Sequence, residues 1–139
     1  MNSYFRMAMN RGLTIQFAFQ YTDQNRQRLQ KYENGEDLLK YLKTQNILEK
    51  FARFAESKGL KRRNILMYKA KELFDRNLYG NIIYNMLDME EYMKFLNQSD
   101  KTVLKALEVL EKGESFPKAP EQKLEAAHEG TEKAIAQAD

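Results

Sequence analysis

The chain contains no cysteine among its 139 residues. That excludes a disulfide scaffold, a thiol nucleophile and a cysteine-ligated zinc site. Histidine occurs once, at His128, so neither a histidine metal cluster nor a histidine-based triad can be assembled. Prolines number two and glycines six, which favours long helices over many short strands. No run approaches the roughly 20 apolar residues of a membrane span. The richest, "LYGNIIYNML" at 78–87, carries two asparagines. Residues 1–12 hold charges where the apolar segment of a signal peptide would stand. Catalytic signatures are missing as well. There is no phosphate-binding P-loop, no dinucleotide glycine fingerprint, no H-E-x-x-H and no G-x-S-x-G. Ser3, Ser57, Ser99 and Ser115 lie on no glycine-rich turn that could present an activated hydroxyl.

What is present is a globular composition, 42% hydrophobic and 31% charged, with length for one domain and one modest core. The net charge of +3 is uneven. Lys123 and Lys133 face Glu121, Glu125, Glu129, Glu132 and Asp139, a balance of −3 on residues 121–139, which leaves +6 on the rest. That is too weak an asymmetry to imply nucleic acid by itself.

"LTIQFAFQY", Leu13 to Tyr21, alternates like a half-buried strand. A longer window overrides it. Phe5, Met9, Leu13, Phe17 and Tyr21 fall at successive four-residue steps, and Leu29 and Tyr32 continue the stripe. The spacing predicts one long helix over 3–32, apolar on more than one side near its middle. Gly12 is its weak point, costing about 1 kcal/mol relative to alanine. A short helix follows the Asn34-Gly35 turn signal. Asn46 is placed to cap "ILEKFARFAESKG", with Ile47, Leu48, Phe51, Phe54 and Ala55 inward and Gly59 as the C-terminal stop. Leu66, Ala70, Phe74, Leu78, Ile82 and Met86 mark one central, buried helix, in which Gly80 permits close packing. Asp88 can cap "MEEYMKFLN", and Ser99 or Asp100 can cap a last helix ended by Gly113 and Pro117. The resulting expectation is all-α: a single bundle of about five to six helices at 1–118. An Ala/Glu-rich acidic tail at 119–139 is expected as a frayed helix or disordered.

Few constellations carry chemistry. Asp88, Glu90 and Glu91 sit where negative charge suits a helix start. Most tyrosines share the stripes of Leu and Phe and read as core. Lys58, Lys61, Arg62 and Arg63 form the basic cluster best suited to nucleic acid, between two helices; four charges give a weak phosphate footprint, and a solvated loop is the better reading. No metal, cofactor or catalytic residue can be named.

Three segments in order carry a resemblance: "SYFRMAMNRGLTIQFAFQYTDQNRQRLQKY", "LLKYLKTQNILEKFARFAESKGLKRR" and "AKELFDRNLYGNIIYNMLDMEEYMKFLNQSDKTVLKALEVLEKGESFP". Phe17, Phe19, Tyr21, Asn25 and Arg26, with the closing "NQSDKTVLKALEVL", are the most telling parts. Together, over residues 3–118, they resemble the C-terminal helical region of the carboxyl-terminal processing (tail-specific) peptidases of Bacteroidetes-type bacteria. "MLDMEEY" departs from that pattern in lacking a glycine near Asp88. The resemblance implies a parent serine peptidase of the cell envelope, with a Ser–Lys catalytic pair and a PDZ domain, none of whose active-site residues has a position in this chain. It implies a non-catalytic domain, excised from or related to that C-terminal region, whose partners are the catalytic and PDZ domains. Such a domain is expected to expose the face that meets its partner, through some of Tyr4, Phe5, Met7, Met9, Ile15 and Phe19, and to self-associate there. The competing readings are a stand-alone helical module that binds protein, or nucleic acid through Lys58–Arg63, and an enzyme with an unrecognised carboxylate site.

Overall fold

The computed structural model describes residues 2–114, with side chains through Lys101 and at Lys105. Those residues form helices joined by short turns, with no strand among them, so the fold is all-α. The elements are α1 (Ser3–Asn10), α2 (Leu13–Gln24), α3 (Arg26–Leu29), α4 (Gly35–Leu42), α5 (Ile47–Ser57), α6 (Asn64–Lys69), α7 (Lys71–Met86) and α8 (Met89–Glu114). Among the described residues no helix is long and apolar enough to cross a membrane. The expected tail at 119–139 lies outside the described residues.

The single helix expected at 3–32 is three helices. Its first break is Gly12, which takes a left-handed φ of 66° that glycine adopts without a Cβ penalty. Arg11 and Gly12 donate their amides to Met7 and Met9 carbonyls, both at 3.0 Å, closing α1 before α2 begins. The second break is Asn25, whose backbone leaves the helix while its side-chain amide donates to the Tyr21 carbonyl at 2.9 Å. The strand-like alternation of Leu13–Tyr21 therefore lies in helix α2.

Capping explains most of the other boundaries. Asn2 accepts from the Phe5 amide at 2.9 Å and donates to the Leu66 carbonyl at 2.8 Å, tying α1 to α6. Asn34 accepts from the Asp37 amide at 2.8 Å, and the Glu91 carboxylate reaches across from α8 to accept from the Gly35 amide at 2.8 Å. Asn46 precedes α5 in a left-handed conformation and makes no side-chain cap bond, which corrects the expected role. Gly59, at φ 97°, ends α5 with the Leu60 amide on the Ala55 carbonyl at 2.9 Å. Asp88 caps α8 by accepting from the Glu91 amide at 2.9 Å, so the junction forms without a glycine.

Two further boundaries differ from expectation. The helix foreseen over 66–86 is interrupted at Ala70, where no breaker residue stands. There α6 is held against α1 while α7 packs on α2, and the Ala70 amide divides itself between the Leu66 and Met67 carbonyls at 3.2 Å. No cap forms at Ser99 or Asp100, because α8 runs through both. Asp100 instead accepts from Arg76 Nε on α7 at 2.7 Å. With these breaks the described chain holds eight helical segments, not five to six.

Helix α7 is central. It packs most extensively on α2 and α8, and also meets α4 and α5. Phe74 sits fully buried between Phe5 (4.7 Å, edge-on), Phe51 (5.3 Å) and Tyr4 (5.7 Å). Each such aromatic pair contributes about 0.5–1.5 kcal/mol beyond area burial. Gly80 lets α8 approach: a Cβ there would lie 3.2 Å from the Phe95 ring.

Candidate functional site

The residues singled out as an interface divide in two. Tyr4 and Phe5 are core, 2% and 0% exposed, packed on Phe74, so they cannot meet a partner. The packing of α1 on α7 is the physical reason: both rings lie against Phe74, and Phe5 stands on the stripe of Leu13, Phe17 and Tyr21, which is buried. Met9 is half-buried against the core and its sulfur accepts from the buried Thr14 hydroxyl at 3.6 Å. Met7, Ile15 and Phe19 are exposed, the last two by 60% and 61%. Ile15 and Phe19 stand one turn apart on α2, on the flank that Phe17, Ala18 and Tyr21 leave free.

The basic cluster is partly spent. Lys58 folds over the Phe54 ring with Nζ 5.5 Å from its centroid. Arg62 holds Glu49 through both terminal nitrogens, one at 2.7 Å, and donates Nε to Asn64 at 2.6 Å. Those hydrogen bonds hold the Glu49 carboxyl below its usual range and raise the Arg62 guanidinium. Lys61 and Arg63 stand exposed.

A cleft of about 460 Å³ lies between α2 and α5 and was not foreseen as a site. The two helices run antiparallel there, since Phe17 meets Phe54 (5.7 Å) while Tyr21 meets Lys50. Phe17, Tyr21 and Phe54 form the floor; Phe17 and Tyr21 stack at 5.8 Å. Gln20 and Gln24 line one wall from α2, Lys50 and Arg53 the other from α5, with Asn25 and Ser57 at the ends. No carboxylate lines it. Lys50 Nζ lies 5.7 Å above the Tyr21 ring, and burial pushes the Tyr21 hydroxyl up to about 12, so it stays protonated at neutral pH. Two signals for this cleft were in the sequence: the aromatic run ending in Asn25, and Lys50 and Arg53 one turn apart beside Phe54. Only the antiparallel pairing of α2 with α5 brings them together.

A second cleft, about 550 Å³, lies between the start of α4 and α8. Its Glu91 is committed, accepting from Gly35 and from Lys94 at 3.4 Å. Among the described residues no group of three or more His, Cys, Asp or Glu side chains is placed to hold a metal ion.

No curated protein and no solved structure matches the chain. A family model matches residues 4–88, from the first turn of α1 to the cap of α8, and takes in both helices of the α2–α5 cleft. Covering more than half of the 139 residues, that match places the chain in DUF8443, a family of unknown function.

Proposed function

We propose that the chain is a non-catalytic helical interaction domain. Its place is the C-terminal accessory domain of a carboxyl-terminal processing serine peptidase of the cell envelope, where it packs on the catalytic and PDZ domains, shapes substrate access or mediates oligomerisation. The reading is supported by the ordered resemblance over residues 3–118 and, above all, by the exposure of Ile15 and Phe19 on a helix whose other apolar side chains, Leu13, Phe17, Ala18 and Tyr21, are all buried. Fully burying either side chain against a partner is worth roughly 1.5–3 kcal/mol. A pair one turn apart is therefore a ready anchor for a neighbouring domain or a second copy. Neither nucleophile nor base is assigned to this chain; in the peptidase frame both belong to the parent protein.

The test is sedimentation of the chain alone, and mixed with the catalytic and PDZ portion of a peptidase of this class. The expected result is a stoichiometric complex, or self-association, that is lost with Ile15→Ser/Phe19→Ser. Strictly monomeric, non-binding chain at high concentration would overturn the interaction role. Serine-dependent hydrolysis of a denatured protein by the purified chain would overturn the non-catalytic one.

A further inference from the structure

The α2–α5 cleft has the chemistry of a peptide site, and this inference stands on observations separate from the Ile15–Phe19 flank. Its volume, about 460 Å³, falls in the range of built ligand clefts. Its floor is apolar and aromatic. Its charged lining is of one sign: Lys50 and Arg53 project from α5 and no acid opposes them within the cleft. The nearest acid on α5, Glu49, is already held by Arg62, and it reaches Arg53 only through Nε at 3.3 Å. An arginine carries five N–H donors, so most of this guanidinium is left for a ligand. The excess of +6 on residues 1–120 attracts acidic partners at longer range.

Geometry narrows the ligand further. Residues three apart on a helix have Cβ atoms about 5–6 Å apart, the spacing of Lys50 and Arg53. Along an extended peptide, side chains two apart share one side at about 6.6–6.8 Å, and the residue between them points to the other. An acid–x–acid run therefore sets two carboxylates on the two cations of the α5 wall, while the chain between them lies over the Phe17–Tyr21–Phe54 floor. Gln20 and Gln24, on the opposite wall, offer amide donors and acceptors to the side chain between the two acids. Nucleic acid fits less well. Two cations at the cleft give a small phosphate footprint.

We propose that the α2–α5 cleft binds an extended acidic peptide segment carrying two acids two residues apart, its carboxylates on Lys50 and Arg53 and its chain over the aromatic floor.

The test titrates the isotope-labelled full chain with a blocked heptapeptide of alternating glutamate and leucine, read by backbone amide shifts. The expected shifts lie at 17–25 and 50–57. Binding weakens by about tenfold or more when glutamine replaces every glutamate, and likewise in Lys50→Gln/Arg53→Gln, as loss of charge-assisted bonds requires. Ile15→Ser/Phe19→Ser leaves this binding unchanged, which separates the cleft from the flank. Absence of shifts with the acidic peptide, shifts confined to other residues, or equal binding of the glutamine peptide would overturn the proposal. So would a thymidine oligonucleotide that binds the same residues more tightly than the peptide. The glutamine peptide makes the test independent of whether the double variant folds.

Discussion

Phe17 and Phe19 are two residues apart on one helix, yet one is 6% exposed and the other 61%. In "LTIQFAFQY" they look equivalent. A helix turns about 100° per residue, so the two rings project some 200° apart. Phe17 joins Phe51, Phe54 and Tyr21 in the core, and Phe19 joins Ile15 outside it. The same contrast holds at larger scale between the aromatic centre around Phe74 and the outer flank of α2. One region is apolar because the fold needs it. The other is apolar and exposed, and the proposed interaction role rests on it.

The contrast can be broken first at its centre. Phe74→Ala removes a fully buried ring that touches Tyr4, Phe5 and Phe51, and should cost about 3–5 kcal/mol in a denaturant melt. A loss comparable to a surface change would show that the core is not organised around α7.

Gly12 separates the observed turn from the continuous helix with opposite signs. Were residues 3–32 one helix, Gly12→Ala would stabilise by about 1 kcal/mol. At φ 66° the added Cβ should instead destabilise by roughly 1–2 kcal/mol. Chemical denaturation of this one variant decides between them.

A smaller effect concerns Asp75 on α7. Burial raises its carboxyl above the usual range, although one oxygen holds Lys71; the other has no partner among the described residues. A raised folded-state value means the protonated form is favoured on folding. Stability contributed by protonation is then complete below the unfolded value of about 3.8 and is lost as pH rises through the folded one. Asp75→Asn should therefore melt higher than wild type at neutral pH and equal to it below about pH 3.8. A variant that melts lower at neutral pH would show that the Lys71 pair outweighs burial.

Much of the fold was legible because its causes are local. All-α character follows from the four-residue stripes and scarce breakers, and the turn signal at Asn34-Gly35 and the caps at Gly59 and Asp88 stand beside the turns they stabilise. Gly12 was visible as a weak point, but nothing local told whether it would bend inside a helix or turn left-handed. Ala70 carries no signal at all. Its break follows from α6 packing on α1 and α7 on α2, which is information spread over 60 residues. Asp100 likewise looked like a cap and serves Arg76, a partner 24 positions away. Of the candidate interface, Ile15 and Phe19 were readable as surplus apolarity on α2. The burial of Phe5 was readable from its place on the core stripe, and that of Tyr4 depended on how α1 packs on Phe74 of α7. The α2–α5 cleft depended on an antiparallel pairing that no spacing in the sequence encodes.

The smallest expected change in stability carries the most weight. Ile15→Ser/Phe19→Ser alters two side chains exposed by 60% and 61%, so its melt should stay within about 0.5 kcal/mol of wild type per site. Measured together with sedimentation against the catalytic and PDZ portion of a carboxyl-terminal processing peptidase, the double variant should fold like wild type and fail to associate. Association retained by the folded double variant, or absent from the wild type altogether, would contradict the account.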